Sequence, residues 1–434
     1  MDSLEVLVAQ VQALSGSTDD LLHLHGLLKQ LDDSLQQQQQ HHQAIQQCLL
    51  QLDPAKHSLG FLYFLDAFGS ADISMDQSES FISTSATFIN ASSVDQVRMA
   101  PEKFTNVCKR MRDETIRVQR PIRAISPLHI AIRKLQPSSE YLTPLHADLL
   151  QICLLAKCYK AALSVLDDDI FEIDQKKTGL TPKDFLLFCY YGGMAYVGLK
   201  RFEKALELFQ HAVTAPAFVL NAIVVESYKK YVLVSLIQNG QVPNLPKYTP
   251  SVTQRNVKSC APDYVEFASV YSTRNIGDLK RSILAHEEVF QKDNNLGLAK
   301  QVVSSLYKRN IQRLTQTFLT LSLQDIAETV QLESPKDAEL HILQMIQKGE
   351  IHAIINQKDG MVSFLEDPEQ YKTRDIAQQL HGQIQKIIGL AKKIRFADEQ
   401  VSCDLAYLSK IGRDRPNYDP EEFEVVPQKG FTNL

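Results

Sequence analysis

The stretch LAKQVVSSLYKRNIQRLTQTFLTLSLQDIAETVQL, residues Leu298–Leu332, carries the local signals that decide the fold of this chain. Apolar residues recur in it with the spacing of one helix face, at Tyr307, Ile311, Leu314 and Phe318. Ser322 then stands three residues before Asp325, which is the spacing of a capping box and predicts a second helix. That helix has an apolar face made of Leu323, Ile326, Ala327 and Val330. The stretch therefore predicts two consecutive helices joined by a short connection.

A third helix and a hairpin are predicted directly after it. Ser334 followed by Pro335 is a helix start, and Gly349 stands where that helix should end. Two short apolar runs then flank a dipeptide typical of a tight turn: Ile351–Asn356 and Met361–Phe364 around Asp359–Gly360. Three helices followed by a β-ribbon make a winged helix, which we assign to residues 298–366.

One strand of this ribbon is expected to lie at a sheet edge. In a winged helix the short strand near Thr320–Leu321 pairs with Met361–Phe364, which leaves Ile351–Asn356 with one neighbour. The edge contains Ile351, Ile354 and Ile355, and no inward charge or proline protects it. We expect it to pair with a strand of another protein subunit. The alternative is that the C-terminal helix of the same chain covers it.

Nucleic-acid binding is the weaker interpretation of the winged helix. Residues 298–365 contain seven basic and seven acidic residues, so their charges cancel. A DNA-reading helix needs several cations to neutralise phosphates. We interpret Lys308, Arg309 and Arg313 as a solvated helix face.

The length and composition of the chain predict a globular protein with more than one structural region. The chain has 434 residues, 44% apolar content and a net charge of −5, which gives no electrostatic argument for nucleic acid or acidic lipid. Its longest nearly apolar run, Phe185–Leu199, is too short to span a bilayer and fits a buried helix. The acidic start MDSLEVLVAQ is unlike a signal peptide. We expect a soluble, intracellular protein with no membrane contact.

The seven cysteines are scattered and form no CxxC pair. This pattern predicts buried, reduced thiols and argues against disulfides or a zinc site.

Helical patterns dominate the N-terminal half. Residues 1–50 are amphipathic, Ser58–Phe68 reads as a core helix, and the Ser-rich residues 69–95 are expected to form a loop. An internal repeat occurs at an offset of 43 residues, at which residues 155–170 align with residues 198–213. It pairs Tyr159 with Phe202, Ala162 with Ala205 and Leu166 with Phe209. Small residues where helices cross predict a solenoid like that of tetratricopeptide repeats. Pro243 and Pro246 then begin a linking segment at about 243–262.

The C-terminal region predicts one long helix from about Asp375 to Leu408. Its apolar residues follow three-and-four spacing, broken at Asp398: Leu380, Ile384, Ile387, Ala391, Ile394 and Val401. Such a narrow stripe suits a helix bundle. Gly382 and Gly389 weaken the helix in isolation, by about 1 kcal/mol each relative to Ala, so we expect partners to order it.

The motif search predicts no catalytic residue, cofactor or metal ligand. GxxxxGK[ST], GxGxxG, GxSxG and HExxH do not occur in the sequence. His23 and His25 form an HxH pair, but on a helix residues two apart point about 200° from each other and cannot share a metal ion.

Several segments are similar to those of one known family: HADLLQICLLAKCYKAAL (146–163), YYGGMAYVGLKRFEKAL (190–206), LPKYT (245–249), DNNLGLAKQ (293–301), SLYKRNIQRLTQTFLTLSLQDIA (305–327) and INQKDGMVSF (355–364). The solenoid with a winged helix resembles the PCI-domain proteins, and these segments resemble the third-subunit family of the COP-nine (constitutive photomorphogenesis) signalosome. The resemblance implies a mostly all-α fold, with a TPR-like helical-repeat solenoid leading into a winged-helix PCI subdomain with a small β-wing. A C-terminal bundle helix follows.

The resemblance also divides the chain. It implies an N-terminal helical-repeat region (1–198), the helical part of a PCI domain (199–297), its winged helix (298–366) and the bundle helix (367–411). The remaining residues, 412–434, are polar and contain Pro416, Pro420 and Pro427, which predicts a disordered tail.

The function implied by the resemblance is that of a non-catalytic scaffold in an eight-subunit complex. That complex removes the ubiquitin-like modifier Nedd from cullins and so regulates cullin–RING ubiquitin ligases, with its zinc centre in another subunit. The implied partners are the other signalosome subunits, with subunits one and eight as neighbours. The alternatives are a proteasome-lid PCI scaffold and, in a different class, a winged-helix nucleic-acid-binding protein.

Overall fold

The computed structural model describes residues 2–16, 18–37, 42–70, 74–366 and 374–414. The described chain is mostly helical with one small sheet, which confirms the predicted fold class. It divides into two compact units, Met1–Phe364 and Leu365–Leu434.

The first unit is a succession of helices, and its three strands lie in its last 45 residues. Its helices are α1 (Asp2–Ala13), α2 (Thr18–Gln37), α3 (His42–Gln51), α4 (Ser58–Ser70), α5 (Met75–Ala91), α6 (Val94–Met99), α7 (Pro101–Arg117), α8 (Ile122–Leu135), α9 (Pro144–Leu155), α10 (Tyr159–Leu166), α11 (Gln175–Thr178), α12 (Pro182–Gly198), α13 (Phe202–Thr214), α14 (Ala222–Gln238), α15 (Ser251–Asn256), α16 (Pro262–Ser272), α17 (Ile276–Ala285), α18 (Glu287–Lys292), α19 (Leu296–Thr317), α20 (Leu323–Val330) and α21 (Pro335–Gln347). Its strands are β1 (Thr320–Ser322), β2 (Ala353–Asn356) and β3 (Met361–Phe364).

The expected loop at residues 69–95 is wrong, because most of this segment forms α5 and the start of α6. Ser74 and Gln77 form a capping box at the start of α5. The helix then buries Phe81 and Phe88, and the Phe88 ring stacks on Phe61 with 5.1 Å between centroids. Tertiary burial of these rings outweighs the modest helix propensity of the surrounding Ser and Thr residues.

The predicted 43-residue repeat is confirmed as two helix pairs, α9–α10 and α12–α13. The turn inside each pair contains a lysine in the left-handed conformation: Lys157, with a φ of 57°, and Lys200, with a φ of 61°. Ala162 and Ala205, the paired small residues, are both fully buried. Small residues at these positions let the helices approach closely. The two helix pairs stack on each other and in this way form a shared core.

Helix α12 confirms that the apolar run Phe185–Leu199 belongs to a buried helix. Gly193 packs directly on the aromatic ring of Phe209 in α13, where an added Cβ would lie 2.5 Å from the ring. Any larger side chain at Gly193 would therefore push α12 and α13 apart.

A buried polar network joins the solenoid to the winged helix. Lys230 Nζ in α14 donates to Asn295 Oδ1 over 2.6 Å, and Asn295 Nδ2 donates to Tyr264 Oη in α16 over 2.8 Å. Tyr264 Oη and Lys229 Nζ both donate to Asp293, over 2.9 and 2.8 Å. Burial lowers the pKa of Lys230 and raises that of Tyr264. The network fixes the start of α19 against α14 and α16.

The winged helix follows the prediction closely. The Ser322 and Ser334 side chains accept from the backbone N–H of Asp325 and Asp337, which confirms both helix caps. Gly360 turns the ribbon with a φ of 62°. Phe318 is the first residue after α19 and is 42% exposed, so its assignment to the apolar face of this helix is wrong.

The second unit contains α22 (Arg374–Cys403) and α23 (Leu405–Asp414). The prediction of one continuous helix to Leu408 is wrong, because Asp404 interrupts it. The Asp404 carboxylate accepts from the backbone N–H of Ala406 and begins α23. Residues 412–414, assigned to the tail, lie in α23, and residues 415–434 lie outside the described residues.

Candidate protein interfaces

The three strands form an antiparallel sheet in the order β1-β3-β2. This order confirms that the first ribbon strand lies at an edge. The strand spans Ala353–Asn356, two residues later than the predicted start. Ile351 therefore precedes the strand, and it is buried, with 6% of its surface exposed. Its side chain belongs to the core of the winged helix, so the expectation that it lies on the edge is wrong.

The backbone register shows which groups of β2 face away from the sheet. The N–H of Phe364 donates to the carbonyl of Leu319 over 2.8 Å, so Phe364 turns its hydrogen-bonding groups toward β1. Along an antiparallel ladder, the backbone N–H and C=O groups of successive residues point to alternate sides. Those of Ser363 therefore point toward β2, where Ser363 lies opposite Ile354. The N–H groups of Ala353 and Ile355 consequently face the open side of the strand.

The side chains of β2 alternate as a half-buried strand should. Ala353 and Ile355 are half-buried against the core, whereas Ile354 is 60% exposed. Of the three predicted isoleucines, Ile354 is the one that presents a large apolar surface at this edge.

The cations of α19 do not form the solvated face expected from the sequence. Lys308 Nζ lies 2.7 Å from Glu350 Oε1, and Arg309 donates to the backbone carbonyl of Ile237 over 3.3 Å. Arg309 thereby neutralises carbonyl groups at the end of α14. The solvated-face interpretation is wrong for these two residues, while Arg313 is exposed.

Helix α21, which would enter a DNA groove in a nucleic-acid reader, presents apolar side chains instead. Leu340 and Leu343 are both exposed on one face. The sequence analysis did not single them out, although their i, i+3 spacing outside the buried set Ala338, Ile342 and Met345 was readable.

The predicted seam of α22 is exposed along its length. Leu380, Ile387 and Ile394 are 56%, 65% and 61% exposed. Ile384 and Ala391 are exposed as well. Three further apolar residues that the sequence analysis passed over, Ile388, Leu390 and Phe396, are exposed at other positions around the helix. The apolar surface is therefore broader than a narrow stripe.

The seven thiols differ in their burial. Cys48, Cys108, Cys153 and Cys189 are buried, and burial raises the pKa of Cys153 to about 11. The prediction of buried thiols is wrong for Cys260 and Cys403, which are exposed.

His23 and His25 lie on α2 as expected. His25 Nδ1 is 3.5 Å from Tyr63 Oη, and burial lowers the pKa of His25. Across the described ranges, no three His, Cys, Asp or Glu side chains are grouped so that they could hold a metal ion. None of the helices described here combines the length and apolar character needed to cross a membrane.

Comparison with known proteins places this architecture in a family. A family profile described as "COP9 signalosome complex subunit 3, N-terminal helical repeats" matches residues 19–253, more than half of the chain. A protein of Arabidopsis thaliana named COP9 signalosome complex subunit 3 is 50% identical over 431 residues, covering 99% of this chain and 98% of the relative. The chain belongs to the COP9 signalosome subunit 3 family.

A second family member, from Dictyostelium discoideum, is 40% identical over 402 residues, covering 92% of this chain and 95% of the relative. The profile of the PCI domain matches residues 278–366 and so includes the whole winged helix. Helices α22 and α23 lie beyond that match. The family's helical-repeat match ends inside α15, where the linking segment leads to the winged helix.

Proposed function

We propose that this chain is a non-catalytic scaffold subunit of the COP9 signalosome, which removes Nedd from cullins and so regulates cullin–RING ubiquitin ligases. The single observation that carries the proposal is its 50% identity, over nearly its full length, to a protein named as subunit 3 of that complex. In this proposal the chain works in the cytoplasm and nucleus within an eight-subunit assembly, beside subunits one and eight.

Two surfaces would perform the scaffolding. The β2 edge offers backbone groups and Ile354 for strand addition. The seam of α22 offers exposed apolar side chains for a helix bundle. Several polar groups of the core have structural roles, because they form helix caps and internal ion pairs such as Lys229–Asp293 and Lys103–Asp66.

The first prediction concerns activity. The purified chain, supplied with zinc, is expected to leave a Nedd-conjugated cullin uncleaved. A signalosome reconstituted without the chain should lose cleavage and regain it when the chain is added back. Cleavage is measured by the mobility shift of the cullin. Turnover by the chain alone that survives replacement of His23 and His25 by Ala would mean that an active site exists elsewhere in it.

The second prediction concerns the β2 edge. Ala353→Pro removes an N–H that faces the open side, so the winged helix should still fold. Incorporation into the complex should fall by about tenfold, because roughly 1 kcal/mol is lost for the missing hydrogen bond and the proline ring obstructs an added strand. Incorporation is measured by competition with wild-type chain carrying a different tag.

Two variants control this experiment. Thr320→Pro places the same ring on the opposite edge strand, β1, and should assemble normally. Ile354→Pro removes a bond to β3 and should lower the thermal stability of the chain. Normal assembly of a folded Ala353→Pro variant would show that the β2 edge is not a joint.

A further inference from the structure

One charged residue interrupts the apolar seam of α22. Seven consecutive seam positions with three-and-four spacing run from Leu380 to Val401, and Asp398 occupies the sixth. All seven side chains are exposed in the described helix. With a rise of about 1.5 Å per residue, this part of the seam is about 32 Å long. Asp398 is thus placed between Ile394 and Val401, inside the surface that a packed helix would cover.

Covering the seam would remove water from the Asp398 carboxylate. A carboxylate that loses its water without gaining a charged or hydrogen-bonding partner strongly opposes association. Its own helix offers little compensation, because the residues three and four positions away are Ile394, Arg395, Val401 and Ser402. Arg395 is the one cation among them, and no ion pair joins it to Asp398 in the described helix. The compensating charge must therefore come from the covering helix.

A second copy of this chain does not supply that charge. In a parallel pair of α22 helices, Asp398 would face Asp398 of the other copy, and like charges repel. In an antiparallel pair, Asp398 would meet another position of the same seam, and none of the seven seam residues is basic. No residue of the seam itself therefore supplies the charge, and a covering helix of a different subunit, as the proposed scaffold function requires, can supply it.

We propose that the seam of α22 docks on a helix of another subunit that carries an apolar stripe and a Lys or Arg opposite Asp398. A single polar residue at a seam position fixes the register and selects the partner, at some cost in stability. Asp398 is thus a specificity-determining residue for assembly. This inference rests on the proposed scaffold function.

The test replaces Asp398 by Leu and by Lys in the full chain. Each variant competes with an equal amount of differently tagged wild-type chain for a place in the reconstituted signalosome. Asp398→Leu should lose to wild type by about tenfold or more, although it makes the seam continuously apolar, because it leaves the partner's cation buried and unpaired. Asp398→Lys should lose by more, because it places two cations together.

Matched controls use the neighbouring residue. Glu399→Leu and Glu399→Lys make the same changes of charge one position along, off the seam, and should compete within about twofold of wild type. Circular dichroism of each variant checks that its helix content is unchanged.

The outcomes separate the inference from the proposed function. If Asp398→Leu competes as well as or better than wild type while Ile384→Asp fails to assemble, the seam is used but no cation faces Asp398, and the inference is overturned. If Ile384→Asp also assembles normally, the seam is not an assembly surface, and that part of the proposed function fails with the inference.

Discussion

Replacing both Ile384 and Ile387 by Asp is expected to keep the chain out of its complex while leaving the unfolding of the solenoid nearly unchanged. Both side chains are exposed in the seam of α22, at 45% and 65%. Each carboxylate placed between packed helices would cost about 2 kcal/mol or more, so the pair should weaken incorporation by at least about a thousandfold. The measurement is competition with tagged wild-type chain, together with a thermal melt of the isolated variant.

Control substitutions add the same charge elsewhere on the helix. Gln378 and Gln385 are seven residues apart, and neither is a seam residue: Gln378 lies two positions before Leu380, and Gln385 directly follows Ile384. Replacing both by Asp should leave assembly close to wild type. A large loss of thermal stability in the Ile384 and Ile387 variant would show instead that the seam packs within its own chain.

Replacing Asn295 by Leu is expected to destabilise the first unit by about 3 kcal/mol, because Lys230 would lose its hydrogen-bond acceptor in a buried site. Lys230 is 4% exposed, and its Nζ atom donates to Asn295 Oδ1. The remaining contact of its ammonium, with the ring face of Tyr190 at 5.7 Å, would be left to stabilise the charge. Chemical denaturation followed by circular dichroism measures the loss.

A double variant separates the charge from the packing. Lys230→Met combined with Asn295→Leu removes both polar partners, and it should recover a large part of the lost stability. If the double variant loses as much stability as the two single variants lose together, packing shape and not charge pairing would dominate this site.

The parts of the fold that local signals specify were readable from the sequence. The caps at Ser322 and Ser334 depend on residues three positions away, and the turn at Gly360 depends on its neighbours. The solenoid was readable because its helix pairs repeat. Helix α5 was missed because its Ser and Thr residues favour caps and turns, while its stability comes from burying Phe81 and Phe88 against distant helices.

The candidate interfaces could be predicted only where local sequence patterns specify them. The order of the three strands follows from the winged-helix pattern, but the burial of Ile351 depends on the tertiary core. The pairing of Lys308 with Glu350 joins residues 42 apart, and that of Lys230 with Asn295 joins residues 65 apart. No local pattern encodes such contacts, so the polar network at the junction was not predicted. The interruption at Asp404 was missed because the apolar spacing continues through Leu405 and Leu408.

The central claim, membership of a signalosome, is tested most directly by purifying the full chain with an affinity tag from its own cells and measuring the mass and composition of the intact assembly. The account predicts one copy of this chain with one copy of each other signalosome subunit, in an assembly that cleaves Nedd from a cullin. Recovery of the chain alone, or in equal amounts with proteasome-lid subunits, would contradict it.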